Sequence, residues 1–421
     1  MKKRTYRKIA VKEVEVESLI AELGAGRVVF AIDVAKVDMV AAVVAGDGRV
    51  VRTVAWKNPT ENGLVLELLA GLVRAGLLVE AVMESSGTYG DVLRHQLVIG
   101  GVPVYRVSGK RTHDAAEVYD GVPSLHDAKS AAIIAKLHMD GASRRWEPLS
   151  DEKRGLKAAI ATMDLFREQN QRLIHSLESS LARYWPEVTE LVELGSATLL
   201  ALLARIGGPR DVSGETAAAR KLMLGMSHRL MSEEKVEAVL LCAQISVGLP
   251  MLAQERAMLM TLAGEAHRAL KEFKKAKAEV ERLSENTVAR VLAPATGKTT
   301  AAVLVADVGD PRDFPCARAY LKAFGLNLRE KSSGMLKGRL SITKRGSGRA
   351  RQYLWLAVFR WIQKDPVTRA WYDSKSKRDG GRKAKGVIAL MRKFAKALFH
   401  VARGAVFDST KLFDTSRLQL G

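Results

Sequence analysis

A chain of 421 residues with 47% hydrophobic content is too apolar for a disordered protein and long enough for two or three domains. Lys and Arg number 67 against 46 Asp and Glu, and this formal charge of +21 points to polyanionic partners, nucleic acid ahead of a membrane surface. There is no run of about 18 apolar residues to span a membrane, and the basic start lacks the apolar core of a signal peptide, so a cytoplasmic protein is expected.

Taken in chain order, Arg27–Asp33 (RVVFAID) is a short apolar run rich in β-branched residues and reads as a strand. Residues 37–56 carry the turn signal Gly46–Gly48 and predict two more strands joined as a hairpin. Leu64, Leu68 and Leu72 give Thr60–Ala75 a helical spacing. A fourth strand is expected over Val79–Ser85, a helix over Thr88–Leu97, a fifth strand over Pro103–Ser108 and a helix over Asp127–Met139, with Ala131, Ile134, Ala135 and His138 along one side. The order βββαβαβα, a meander followed by alternation, resembles an RNase H-like fold rather than a doubly wound one.

In such a sheet the first and fourth strands are neighbours. Asp33 closes the first and Glu84 the fourth. Each alone reads as a loop-facing or capping acid. Together, at matching strand ends of a basic protein, they suggest more, because an unpaired carboxylate closing an apolar run is costly. Metal-assisted phosphodiester cleavage needs several carboxylates converging on the ions. Further acids lie at Asp114, Asp120 and Asp127, the last at a helix start where capping is the plain reading.

The middle of the chain is helical. Leu156, Ile160, Met163, Ile174, Leu177 and Leu181 mark Asp151–Tyr184, and Leu259, Leu262, Ala266, Ala269, Phe273, Ala276, Val280 and Leu283 keep a similar rhythm. Such a/d spacing predicts coiled-coil helices of about 40–50 Å, forming a paired or dimerising arm, with an ordinary helical core as the alternative. Leu202–Val212 (LLARIGGPRDV) echoes Val303–Phe314 (VLVADVGDPRDF), two helix-hairpin-helix-like units that either offer backbone N–H groups to phosphates or merely pack. The stretch after Pro294 (PATGKTT) is no nucleotide loop, because Leu292 stands where the first glycine would be needed. Cys242 and Cys316 lack metal-ligand spacing and are expected as buried free thiols of a reducing compartment.

Leu328–Leu354 (LREKSSGMLKGRLSITKRGSGRARQYL) sets two serines among basic residues. Its local sequence fits a linker, a phosphate-binding loop or the seat of a serine nucleophile. Lys331, Lys337, Arg339, Lys344, Arg345, Arg349 and Arg351 are expected to hold a nucleic-acid backbone rather than read bases.

Four stretches, FAIDVAKVD, VMESSGTYG, DGVPSLHDAKSAAIIAKLH and KSSGMLKGRLSITKRGSGRARQYL, together resemble the DEDD transposases of bacterial insertion sequences, RuvC-like recombinases that also carry a serine nucleophile. The resemblance covers nearly the whole chain. It implies a RuvC-like RNase H-fold catalytic domain over residues 1–150. It also implies a helical, coiled-coil domain over 151–285 and a mainly helical transposase domain with a basic tail over 286–421. Asp33, Glu84 and Asp127 match the first, second and last family acids. The third is expected three residues before the last, where this chain has Ser124, so Asp120 is the nearest substitute and Asp114 the next. Asp33, Glu84, Asp120 and Asp127 would hold Mg²⁺ or Mn²⁺. Ser333, directly before Gly334, matches the nucleophile, with Ser332 as the fallback.

The implied partners are donor and target DNA, a structured guide (bridge) RNA, and further copies of the chain, as a dimer assembling into a tetrameric synapse on the bacterial nucleoid. Two other readings compete: a RuvC-type metal nuclease in which Ser333 is structural, and a nucleic-acid-binding protein without chemistry. An actin-like ATPase is disfavoured, because the DVAKVD segment after the first strand lacks a Gly-rich phosphate turn.

Overall fold

Alternate residues of Arg27–Asp33 enter two different hydrophobic cores. Val28, Phe30 and Ile32 join one, Val29 and Ala31 the other. A strand buried on both faces has to be a continuous apolar run, and this is why the segment shows no polar alternation. The computed structural model describes residues 7–84, 87–123, 125–227, 230–333, 336–414 and 416, with the backbone alone for 331–333, 336, 337 and 339. Two units are present, Met1–Leu149 and Ser150–Gly421.

The first unit begins with β1 (Lys8–Ala10) and α1 (Val16–Leu23), neither of which the sequence pattern suggests. The meander β2 (Arg27–Asp33), β3 (Asp38–Ala45) and β4 (Val50–Lys57) follows, then α2 (Asn62–Arg74), β5 (Leu78–Glu84), α3 (Asp91–Ile99) and β6 (Val104–Val107). Two helices come next, α4 (Gly109–Asp120) and α5 (Asp127–Met139), and β7 (Arg144–Arg145) ends the unit. The sheet order is β1-β4-β3-β2-β5-β6-β7. β2 is antiparallel to β3 and parallel to β5, an arrangement compatible with an RNase H-like domain. Helices α1, α2 and α3 cover one face through Leu19, Leu69 and Leu97. α5 covers the other through Ala131, Ile134 and Ala135, whose small side chains let the helix lie close to the strands.

The second unit is largely helical. α6 (Asp151–Tyr184) leads into α7 (Val188–Leu191), α8 (Ala197–Arg205), α9 (Pro209–Gly214), α10 (Thr216–Met226) and α11 (Glu233–Gln244). α12 (Ala253–Ser284) then returns antiparallel along α6. Leu177 and Leu181 meet Leu259, Ala263 and Ala266 near one end, and Leu156, Ile160 and Met163 meet Ala276, Val280 and Leu283 near the other. The long apolar seam is thus filled by a helix of the same chain. Both helices are about 50 Å long at 1.5 Å per residue.

The rest of the unit comprises α13 (Ala289–Thr296), α14 (Lys298–Val308), α15 (Ala317–Ala323), the hairpin β8 (Leu328–Ser333) and β9 (Leu336–Ile342), α16 (Gly348–Lys364), α17 (Pro366–Arg378) and α18 (Lys383–Val401). Ala302 and Val303 of α14 and Tyr353 of α16 share the α6–α12 core, so the long helices and the C-terminal segment belong to one packed body. Cys242 is buried as expected, but Cys316 is exposed. It occupies the position before α15, where the chain turns at the surface rather than entering the core.

The two echoing segments share a backbone feature. Gly207 and Gly309 both have φ in the left-handed region, at 119° and 106°, each ahead of a Pro-initiated turn. In the first, the Asp211 carboxylate accepts from Gly208 N at 2.9 Å. In the second, Asp310 accepts from Arg312 N at 2.8 Å. In both turns a carboxylate of the chain therefore takes up an N–H that a phosphate could otherwise use.

Leu259 is fully buried against Leu177 and Leu181, and Leu259→Ala leaves a cavity that the antiparallel pair cannot close. The expected loss is about 2–5 kcal/mol in urea unfolding followed by circular dichroism. A loss below about 1 kcal/mol would contradict this packing.

Candidate active site

The two-residue period of strands places the first acids. β2 and β5 are paired in parallel up to Ile32 and Met83, so Asp33 and Glu84 occupy the next rung on strands about 4.8 Å apart. Asp33 continues the Val29, Ala31 series and Glu84 follows Val82, and all of these apolar residues belong to the core beneath α5. Asp127 is the first residue of that same helix, preceded by His126, whose ring accepts from Lys129 N. Asp33, Glu84 and Asp127 therefore gather on one side of the sheet.

The electrostatics record this gathering. Burial pushes the Asp33 carboxyl from 3.8 up to about 6, and the negative charges of Asp127 and Glu84 add to the effect, against a smaller opposing pull from Lys8. Asp127 is held below the usual carboxylate range, chiefly by a hydrogen bond from Lys8 Nζ to its Oδ2 at 2.6 Å. Gly109, at the start of α4, lies against Glu84, and a Cβ there would fall inside the van der Waals envelope of Oε1. Three hard oxygen donors that repel one another suit a divalent cation such as Mg²⁺. They are close enough to perturb each other, yet among the described residues no three acidic, His or Cys side chains are grouped so that they could hold a metal ion as they stand.

The remaining candidate acids have other partners. Asp120 accepts from Lys129 Nζ at 2.6 Å and from Val122 N at 3.0 Å. Lys129 is 2% exposed, so Asp120 serves as counter-ion to a buried ammonium, and its own carboxyl is lowered first by that hydrogen bond. Asp114 pairs with Lys110 one turn away. Neither is among the charges that act on Asp33. Ser124 lies outside the described residues.

In the basic C-terminal stretch, Ser333 is the last residue of β8, its backbone paired with Leu336. The side chains of Ser332, Ser333, Lys331, Lys337 and Arg339 lie outside the described residues. Lys344 and Arg345 are exposed, and Lys344 has φ 55°, a conformation few non-glycine residues adopt. The turn is held by Lys344 N to Gly325 O at 2.9 Å, and it lies so close to residues 323–325 that a side chain at Gly325 or Gly346 would clash with backbone.

Arg349 and Arg351, expected on phosphates, are engaged within the unit. Arg349 forms an ion pair with Asp307 and reaches Asp164 at 3.3 Å, and Arg351 donates to the carbonyls of Phe324 and Gly346. Two exposed aromatics one helical turn apart on α16, Trp355 and Phe359, stack at 5.0 Å, a feature the sequence reading missed although the i, i+4 spacing carries it.

Comparison with known proteins accords with both regions. A transposase model of the DEDD IS110 type matches residues 30–186, which include Asp33, Glu84 and Asp127. A second model, for the transposase IS116/IS110/IS902 family, matches residues 292–373, which include Ser333. The chain is a DEDD transposase of the IS110 family. It is 25% identical over 329 residues to the insertion element IS110 uncharacterized 43.6 kDa protein of Streptomyces coelicolor, covering 74% of this chain and 78% of that one. It is also 25% identical over 399 residues to the insertion element IS900 uncharacterized 42 kDa protein of Mycobacterium paratuberculosis, covering 88% and 94%. Membership makes this transposase a DNA-processing enzyme, and among its described residues no helix is long and apolar enough to cross a membrane.

Gly109→Ala is expected to displace Glu84 and reduce DNA cleavage at least tenfold while the circular dichroism spectrum stays that of the wild type, since one methyl at a helix start is otherwise tolerated. Wild-type activity in this variant would mean that Glu84 does not act from its present position.

A pH dependence of stability follows from Asp33. Its native carboxyl binds a proton more tightly than the unfolded one. The stabilisation is complete below about pH 4 and is lost as pH rises through 6. Asp33→Asn removes the ionisation and is expected to exceed the wild type in stability at pH 7, by at most about 3 kcal/mol before solvent screening. Thermal unfolding at pH 4 and pH 7 measures this. A wild type that gains stability over that interval relative to Asp33→Asn would reverse the assignment.

Proposed function

We propose that this transposase cuts and rejoins DNA through a metal–carboxylate centre built on Asp33, Glu84 and Asp127, with Ser333 as the attacking nucleophile. The observation that carries the reading is the convergence of three carboxylates at the ends of β2 and β5 and the start of α5, marked by the upward displacement of Asp33. Bringing carboxylates together is costly unless the charge is used, and a bound Mg²⁺ or Mn²⁺ would supply charge neutralisation and Lewis-acid activation of a phosphodiester there. Asp33 and Glu84 would hold it from the strand ends and Asp127 from the helix. Asp120, engaged by Lys129, is the weakest of the proposed ligands.

In the serine step, the Ser333 oxygen bonds to phosphorus, the P–O bond to the departing deoxyribose oxygen breaks, and the serine proton leaves to a base. The product is a serine–phosphate ester that a second strand can attack. The match of residues 292–373 to the family's transposase region supports this role for the serine stretch. Lys344 and Arg345 are exposed on an ordered turn and suit contact with the phosphate backbone. The excess of 21 positive charges suits a complex that also holds a structured guide RNA, with copies of the chain assembling as dimers into a synaptic tetramer.

The test is incubation with donor and target DNA, Mg²⁺ and RNA from the flank of the gene. Asp33→Ala and Glu84→Ala are expected to lose cleavage by about a thousandfold or more while retaining DNA binding. The wild type should leave a denaturation-resistant DNA adduct, which Ser333→Ala abolishes and Ser332→Ala does not. Cleavage by Ser333→Ala with no adduct in any variant would establish a plain nuclease. Neither cleavage nor adduct would establish a binding protein.

A further inference from the structure

We infer that a cavity between α18 and the segment after it binds one unpaired nucleotide of a nucleic-acid strand: Lys393, Lys396 and Lys411 take the phosphate, and Val401, Val406 and Phe407 take the base. The cavity has a volume of about 410 Å³. It lies beyond residue 373, where the second family match ends, and depends neither on the carboxylates of the first unit nor on Ser333.

Three features support it. The first is an ammonium with little compensation. Lys393 Nζ donates to Leu412 O at 2.6 Å and lies 5.6 and 5.4 Å from the ring centres of Trp371 and Phe413. Burial lowers its pKa, repulsion from Lys396 lowers it further, and no carboxylate is among the charges that act on it. A half-buried cation held by one carbonyl and two rings gains from an added anion, because charge removed from water is costly until it is paired.

The second is the sorting of the lining. Lys393, Lys396 and His400 follow one another on one face of α18, three and four residues apart, and Lys411 stands in the facing segment. Asp408 is the one acid among the described lining residues. Its Oδ1 already accepts from Thr410 N and Oγ1 at 2.9 and 2.6 Å, and its Oδ2 lies 3.9 Å from Lys411 Nζ. The opposite wall is apolar. Phe407 is fixed against Trp361 and Phe394, with ring centres 4.8 and 5.0 Å apart, and Val406 is 85% exposed. The third is the charge of the surroundings. Residues 286–421 hold 28 of the 67 Lys and Arg but 9 of the 46 Asp and Glu, so this stretch carries +19 of the formal +21.

The ligand therefore joins a strong anion to a flat apolar body. Inorganic phosphate leaves the apolar wall bare, and a fatty acid offers one carboxylate to three ammonium groups. A nucleotide has both parts, and cavities of about 300–1,000 Å³ suit ligands of that kind. A paired base is stacked inside its duplex, so the nucleotide that enters is an unpaired one. In a DNA-processing enzyme the site holds a strand end or a displaced strand by charge and stacking.

The experiment titrates the full-length protein into a short fluorescein-labelled oligodeoxythymidylate and, separately, into a blunt duplex, with binding read by fluorescence anisotropy. Val406→Trp fills the cavity at constant charge and is expected to weaken single-strand binding about tenfold and duplex binding less than about twofold. Lys396→Met is expected to weaken single-strand binding about fivefold and to lower the slope of log affinity against log salt by about 0.7. Lys271→Met removes an exposed cation of α12 that does not line the cavity, and its effect is expected to stay within about twofold. Val406 and Lys396 are exposed, so both variants are expected to fold, with circular dichroism as the check. Irradiation of a strand carrying 5-iododeoxyuridine is expected to crosslink within residues 393–412. Undiminished single-strand binding by folded Val406→Trp, equal losses in Lys396→Met and Lys271→Met, or crosslinks only elsewhere in the chain would overturn the inference. Duplex binding that falls as far as single-strand binding would overturn it too. So would thymidine 5′-monophosphate binding as tightly as the strand, which would make the ligand a free nucleotide.

Discussion

Burial of β2 on both of its faces is the constraint from which the first unit of the molecule follows. Because Val28, Phe30 and Ile32 must enter one core and Val29 and Ala31 the other, the next residue, Asp33, has its face decided for it. The same alternation in β5 carries Glu84 to that face, and parallel pairing sets the two on one rung. A slip of one residue in either strand would send one carboxylate into the core beneath α2 and α3. The apolar run that stabilises the sheet is thus also what sets the two carboxylates on one face.

Crowding three carboxylates costs stability, and the molecule answers that cost locally. Burial, with the charges of Asp127 and Glu84 behind it, raises Asp33 to about 6, so its proton is held more tightly than in water. Asp127 takes an ammonium from β1 and sits at a helix start, where partial positive charge favours it. Glu84 has space because residue 109 carries no side chain. Asp120 and Lys129 are a different case. They form a pair in which the ammonium is buried, and removing either partner would leave an uncompensated charge. Asp120 thus has a counter-ion's task within the unit, whatever its proximity to Asp127 in sequence.

The second unit is organised by its antiparallel pair of long helices. An a/d rhythm specifies that a seam must be covered, but not by what. Here α6 covers α12, and the turn at Gly325 and Gly346 is packed so tightly that Lys344 adopts a left-handed backbone. Arg349 and Arg351 tie this region together through Asp307 and the carbonyls of Phe324 and Gly346, leaving Lys344 and Arg345 facing solvent. Basic residues only a few positions apart thus acquire opposite tasks.

Strand and helix periods over residues 27–107 and 127–139, the apolar seam of the middle and the acids closing two strands were all legible in the sequence, because each is a local pattern with a local physical cause. So was the family, from four short stretches in order. Other features depended on distance in space. Lys8 has no signal in its own neighbourhood, and its partner lies 119 residues away. Asp120 and, after it, Asp114 stood as candidates for the third acid, and only the structure places Lys129 and Lys110 beside them. Arg349 looked like Arg345, and Cys316 like Cys242, until burial separated them. Periodicity reports which face a residue takes. Which charge meets which carboxylate, and which cation remains exposed, is settled only when remote segments are packed together, because Coulomb interaction and desolvation depend on the final separation and not on the order of the chain.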